Sequence, residues 1–198
     1  MNFYDTYLMS SALMRNALHV AFVGDVSRLE PIKLARGELT PTKALVFKYK
    51  AGASGGTPCD LVSTDIAVIK LVSSRVTTLF EQFTGWSTFE VLVYGKDGRC
   101  LPGYRGLAIT GRCGAIDNLR STAIQKPPLA PRGRPYEAWV GLYFDESSWD
   151  GSHCFMPADK NYIFVTGDVK RSIEDAGASN FRFERLAEFE RGVVEMSM

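Results

Sequence analysis

The sequence predicts an α+β fold, a mixed β-sheet with short helices packed on it, and three observations lead there. Two stretches, residues 67–94 and 162–183, each read as strand, helix, strand. The second repeats the first at a nearly constant offset: Val72-Ser73 and Val76 recur as Val165-Thr166 and Val169, 93 residues on. After a one-residue deletion the offset is 92, which places Gly177 on Gly85 and Phe181 on Phe89. The composition, 45% hydrophobic and 23% charged, is that of an ordinary globular chain able to bury a core without metal or disulfide. Two strand–helix–strand modules in one chain therefore predict a mixed sheet that both helices share.

Taken in order, residues 1–40 are the least regular. Leu13, Ala17 and Val20 have helical spacing and predict a short amphipathic helix over 9–20. "KALVFKYK" (43–50) alternates Leu45, Phe47 and Tyr49 against Val46 and Lys48, a strand pattern. "AGASGGTP" (51–58) is a loop that lacks the Lys-Ser/Thr ending of a phosphate-binding loop. Residues 67–72 form a buried strand, and Ser73 stands where a helix N-cap belongs.

Val76, Leu79, Phe80 and Phe83 then follow the i, i+3, i+4, i+7 stripe of a core-facing helix, which Gly85 ends. Strands follow at 88–94 and, after the turn "GKDGR", at 104–110. "KPPLAPRGRP" (126–135) is too rich in proline for a helix or central strand and is either a surface excursion or a linker. "YEAWVGLYFD" (136–145) is an apolar strand, and "ESSWDGS" a turn. The second module has a strand at 162–165 and Thr166 as N-cap. Val169, Ile173 and Ala176 share its helical face, Gly177 is the stop, and Phe181 and Phe183 alternate in a closing strand. The expected organisation is one unit over 1–198. Its less regular part is 1–58, and 59–198 holds the two modules, joined by the proline-rich segment 126–135.

Several function classes are disfavoured at this level. A net charge of +1 is not that of a dedicated nucleic-acid binder. Cys59, Cys100, Cys113 and Cys154 make no CxxC pair, so neither a zinc ribbon nor a redox motif is present, and no metal or cofactor is expected. The amino terminus has no basic residue before Arg15, unlike a secretory signal, and no apolar run is long enough for a membrane helix. Free thiols in a reducing, cytoplasmic setting are the simplest expectation.

The chemistry-bearing residues crowd at "DGSHC", where Asp150, Ser152, His153 and Cys154 lie within five positions. A cysteine-dependent hydrolase would need a base aimed at the thiol. In an extended segment, His153 and Cys154 point to opposite faces. No GxSxG elbow surrounds Ser152. Asp-Gly is a strong turn signal, and an aspartate there bonds the backbone two residues on. The segment reads as a turn. "ITGRCGAIDNLRS" (109–121) offers Arg112 and Arg120 for an anion, or, more plainly, a tight loop in which Asp117 caps backbone groups and pairs with an arginine. Eight basic residues over 96–134 are followed by Glu137, Asp145, Glu146, Asp150 and Asp159 with no Lys or Arg between 135 and 159. These blocks either pair within the fold or present a charged face; a small nucleic-acid-binding regulatory domain is the third functional reading.

Two passages, "YRGLAITGRCGAIDNLRS" and "GLYFDESSWDGSHCFMPADKNYIFVTGDVKRSIEDAGASNFRFERL", resemble a bacterial immunity-protein family of polymorphic toxin systems, the myxobacterial-type domain. The likeness rests on the Gly-Arg-Cys-Gly loop Gly111–Gly114 with Asp117 and Arg120-Ser121. It rests also on the turn Trp149–Ser152 and on the closing strand–helix–strand at 163–183, and it spans about 60–187. Where that family's turn continues with an acidic and an apolar residue, this chain has His153 and Cys154, so the pair is not the family's machinery. The resemblance implies binding without catalysis: a cytoplasmic protein that occupies a cognate protein toxin, often a His-Asn-His-type nuclease. It implies no direct contact with nucleic acid or membrane. Asp145, Glu146, Trp149 and Asp150 are then the expected toxin-binding rim, with Arg112 and Arg120 next.

Overall fold

In a computed structural model the protein is described over residues 3–128 and 133–192. Strand β1 (Thr6–Ser11) and β2 (His19–Phe22) precede a short helix, α1 (Pro31–Ala35). Next come β3 (Leu45–Tyr49), β4 (Leu61–Thr64), β5 (Lys70–Ser73), α2 (Ser74–Phe80) and β6 (Trp86–Tyr94). A hairpin follows with β7 (Cys100–Leu101) and β8 (Tyr104–Ile109), then β9 (Gly111–Cys113), β10 (Thr122–Lys126) and β11 (Tyr136–Val140). The chain continues with β12 (Cys154–Pro157), β13 (Ile163–Thr166), α3 (Gly167–Asp175), β14 (Phe181–Arg185) and β15 (Glu190–Gly192).

The first sheet is a closed barrel. Its order is β3-β2-β4-β5-β8-β6, and a parallel pairing of Leu45–Lys48 with Val91–Tyr94 joins the two ends, with β7 appended to β6. Closure removes the open edges at which sheets aggregate. The alternation of β6 explains its place: Phe89, Val91 and Val93 are buried, while Glu90 and Leu92 face out. Together with Val20, Phe47, Val62 and Leu71 they fill the barrel, and α1 adds Leu34 and Ala35.

The second sheet has the order β14-β1-β13-β12-β9 and is buried on both faces. Side chains alternate across a strand. Tyr7, Met9, Cys154, Met156, Ile163 and Val165 therefore face the barrel, and Leu8, Phe155 and Phe164 face the opposite core with Leu142, Phe144 and Leu186. Helices α2 and α3 sit in the barrel-facing core through Val76, Phe80, Val169 and Ile173. A small antiparallel sheet, β10-β11-β15, completes the fold.

Several expectations need correction. Residues 9–20 are not a helix: β1 and β2 occupy both ends, and the helical spacing of Leu13, Ala17 and Val20 has no structural counterpart. The two strand–helix–strand stretches do not share one sheet, because β5 and β6 belong to the barrel and β13 and β14 to the five-stranded sheet. In each, a third strand is inserted between the two parallel ones, β8 in the first and β1 in the second. Ser73 and Thr166 are N-caps by position, but neither side chain caps its helix; Ser73 Oγ donates to Asp60 Oδ1 at 2.6 Å instead. The proline-rich segment tips the β10–β11 hairpin, whose register runs to Lys126↔Tyr136; its residues 129–132 lie outside the described residues.

Candidate functional site

The fold brings the two motif-bearing passages together. The Gly-Arg-Cys-Gly loop is β9, the edge strand of the five-stranded sheet, paired in parallel with β12. The turn that leads into β12 folds back over it. Asp150 Oδ2 accepts from Arg112 N at 2.7 Å, while Asp150 N donates to Arg112 O at 3.1 Å. Ser148 Oγ accepts from Gly114 N at 2.7 Å, and Asp159 Oδ1 from Ile116 N at 3.0 Å. Three amides of an edge strand and its exit are thus satisfied by side chains, which leaves no template for another strand.

"DGSHC" is the turn its Asp-Gly suggests. Asp150 Oδ1 accepts from Ser152 N at 3.0 Å and from Ser152 Oγ. Burial alone would raise the pKa of Asp150, but hydrogen bonds from Ser152 and Arg112 N outweigh it and hold the carboxyl below its ordinary range. His153 and Cys154 diverge as alternation requires. The His153 ring packs on Phe83 with centroids 5.3 Å apart and its Nδ1 lies 3.0 Å from Thr84 Oγ1, whereas Cys154 is fully buried in the barrel-facing core. Burial pushes the Cys113 and Cys154 thiols up to about 12, so both stay protonated at neutral pH. A protonated, buried thiol is not a nucleophile, and the cysteine-hydrolase reading has no support here. Among the described residues no group of three or more His, Cys, Asp or Glu is placed to hold a metal ion.

The arginines of the loop are already occupied. Arg112 Nη1 donates to Ile109 O and Gly111 O at 2.7 and 2.8 Å, and Nη2 reaches Arg36 O at 2.6 Å. Arg120 Nη1 donates to Phe144 O at 3.0 Å, its guanidinium lies 4.9 Å from the Tyr143 ring centre, and Nη2 is 3.9 Å from Glu146. Asp117 caps Leu119 N at 3.0 Å. The expected pairing of Asp117 with an arginine is replaced by this pairing of Arg120 with Glu146. Basic and acidic blocks therefore meet at Arg120 and Glu146, while Asp145 is a turn cap: its Oδ1 accepts from Ser147 N at 3.0 Å, and this bonding to Ser147 lowers its pKa.

The surface that results has a definite pattern. Asp145, Glu146 and Asp150 are exposed; Trp149 is half-buried, its ring 5.6 Å from Phe155 and its Nε1 donating to Ser152 O at 3.0 Å. Beside them stands Leu119, which sequence reasoning missed. It is 97% exposed, while Arg120 of the same single turn reaches across to Phe144 O and the Tyr143 ring. Arg191 was also missed. Buried, it donates to Asn118 Oδ1 at 2.7 Å and Ser121 Oγ at 2.6 Å, and so buttresses the turn that carries Leu119. No sequence signal marks either residue.

No curated protein matches this chain. A family model does: that of the immunity protein family Imm11 matches residues 24–188. The match starts well before residue 60, where the sequence resemblance begins, and so takes in most of the barrel. It also contains both motif passages that the fold welds together. No helix among the described residues is long and apolar enough to cross a membrane. The chain belongs to the Imm11 immunity protein family, whose role is to neutralise a cognate toxin and not to catalyse a reaction.

Proposed function

We propose that this chain neutralises a nuclease toxin, of the His-Asn-His kind or a histidine-rich relative, in the cytoplasm of the cell that makes it. The face it uses is the pair of turns around 117–120 and 145–150. One observation carries this reading: a 97% exposed leucine, Leu119, stands beside Asp145, Glu146 and Arg120 on turns held by side-chain hydrogen bonds, Arg191 to Asn118 and Ser121 behind one and Ser147 to Asp145 within the other. A preorganised apolar anchor within a charged rim is the arrangement in which binding energy concentrates. A nuclease presents a basic groove, and Asp145 and Glu146 steer it. Arg120 orients Glu146. Trp149, Asp150 and Arg112 act behind them by holding the loops in place. The whole of 1–198 works as one unit, and its two strand–helix–strand stretches are related modules; their shared layout, with a third strand between two parallel ones, supports this.

The experiment is binding kinetics with the toxin encoded beside this protein. Asp145→Lys and Glu146→Lys together should lower the association rate by about tenfold at low salt, with the difference shrinking at high salt. Leu119→Asp should instead speed dissociation by more than about tenfold. If folded variants keep both rates, the toxin docks on another face.

A further inference from the structure

A cleft of about 430 Å³ opens away from those turns in the chain, between the β1–β2 connection, the loop after β3 and the outer side of β2 and β4. Val20 and Val62 point into the barrel. Their neighbours His19 and Ser63 therefore point out, toward the cleft they line. The two are register partners on adjacent strands. Ser63 is only 8% exposed, and neither its Oγ nor His19 Nε2 has a hydrogen-bond partner among the described residues. Buried polar atoms are nearly always bonded, so two orphans side by side at the floor of one cleft ask for a ligand.

The charge of the lining says which kind. Arg15 and Lys50 line the cleft, neither is in an ion pair among the described residues, and no Asp or Glu lines it. The walls are fixed: Asn180 Oδ1 accepts from Met14 N at 3.1 Å, Asn180 Nδ2 donates to Leu61 O at 2.7 Å, and Ser54 Oγ donates to Arg15 O at 3.2 Å. We propose that this cleft binds a small oxyanion, a phosphate or carboxylate group, between the Ser63 hydroxyl and His19 Nε2–H at its floor and Lys50 and Arg15 at its rim. Charge-assisted bonds from two cations suit such a ligand, and the rigid walls spare it an ordering cost. The cleft shares no lining residue with the proposed toxin-binding turns at 117–120 and 145–150, so this site does not depend on them.

The chain has only two histidines, His19 and His153, and the imidazole proton resonances report on the cleft directly. At fixed pH, titration with sodium phosphate and, separately, sodium acetate should move the His19 signals saturably and leave those of His153 in place. Sodium chloride at matched ionic strength should not reproduce the shift. Ser63→Ala and Lys50→Gln should each weaken binding by about tenfold, the size of one lost charge-assisted bond. Tighter phosphate than acetate identifies a phosphate site, and the reverse a carboxylate site. The proposal fails if His19 shows no saturable shift with either anion, if chloride matches it, or if both variants bind as the wild type does.

Discussion

Phe80→Ala should destabilise the protein by about 3–5 kcal/mol in denaturant unfolding. Phe80 is fully buried on the inner face of α2, one turn from Val76, where the barrel meets the five-stranded sheet. Its ring lies 5.4 Å from that of Trp86 and 6.4 Å from that of Phe83, both edge-on. Trp86 is itself fixed, with Nε1 donating to Phe80 O at 2.9 Å and Phe83 O at 3.0 Å, so it cannot slide into the space left behind. A cavity that does not collapse carries the full cost of lost transfer energy and lost contacts. Leu79, only partly buried on the same helix, should cost much less when truncated. A loss below about 1 kcal/mol for Phe80→Ala would mean that this face of α2 is not core.

Gly111→Ala should cost about 3 kcal/mol or more, a large effect for one methyl group. A Cβ built on Gly111 would stand 1.9 Å from Ser152 Oγ and 2.2 Å from the Cys154 carbonyl oxygen. Ser152 could turn away, but Cys154 O is backbone, so β9 and β12 would have to separate and take with them the Asp150–Arg112 amide bond. Gly192→Ala, where nothing lies within 4 Å of the added atom, should stay within about 0.5 kcal/mol and serves as the control. The same contact has a pH signature. The folded Asp150 carboxyl titrates below its ordinary value, so its contribution is complete above the unfolded value of about 4 and is lost as pH falls through the folded one. Asp150→Asn should lessen the loss of stability in that acid window.

The parts legible in the sequence are those fixed by local rules. Helices α2 and α3 start at Ser74 and Gly167 as expected, because an N-cap residue precedes an i, i+4 apolar pair in both. Strand β6 was legible from strict alternation, and the 149–152 turn from Asp-Gly. Strand β1 was not, for a physical reason: its sheet is covered on both faces, so Tyr7, Leu8 and Met9 are all buried and the period of two disappears. Barrel closure through β3 and β6 depends on strands more than 40 residues apart, and nothing local encodes such a pairing. The candidate site divides the same way. That Asp150 caps a turn was readable; that it also caps Arg112 N, 38 residues away, was not. Leu119 is one more apolar residue in "DNLRS" by sequence, and its exposure comes from a turn whose residues all stay out of the core.

The proposed toxin-binding face is the pair of turns at 117–120 and 145–150. Amide hydrogen exchange of the protein, free and in complex with the co-expressed toxin, tests it most directly. The amides of Leu119, Ser147, Ser148 and Trp149 lie in the single turns of that face, and burial beneath a partner should slow them. Strong added protection is expected across 117–121 and 145–150, with the barrel strands at 45–49 and 86–94 unchanged. Protection confined to the barrel, with both turns exchanging as in the free protein, would contradict it.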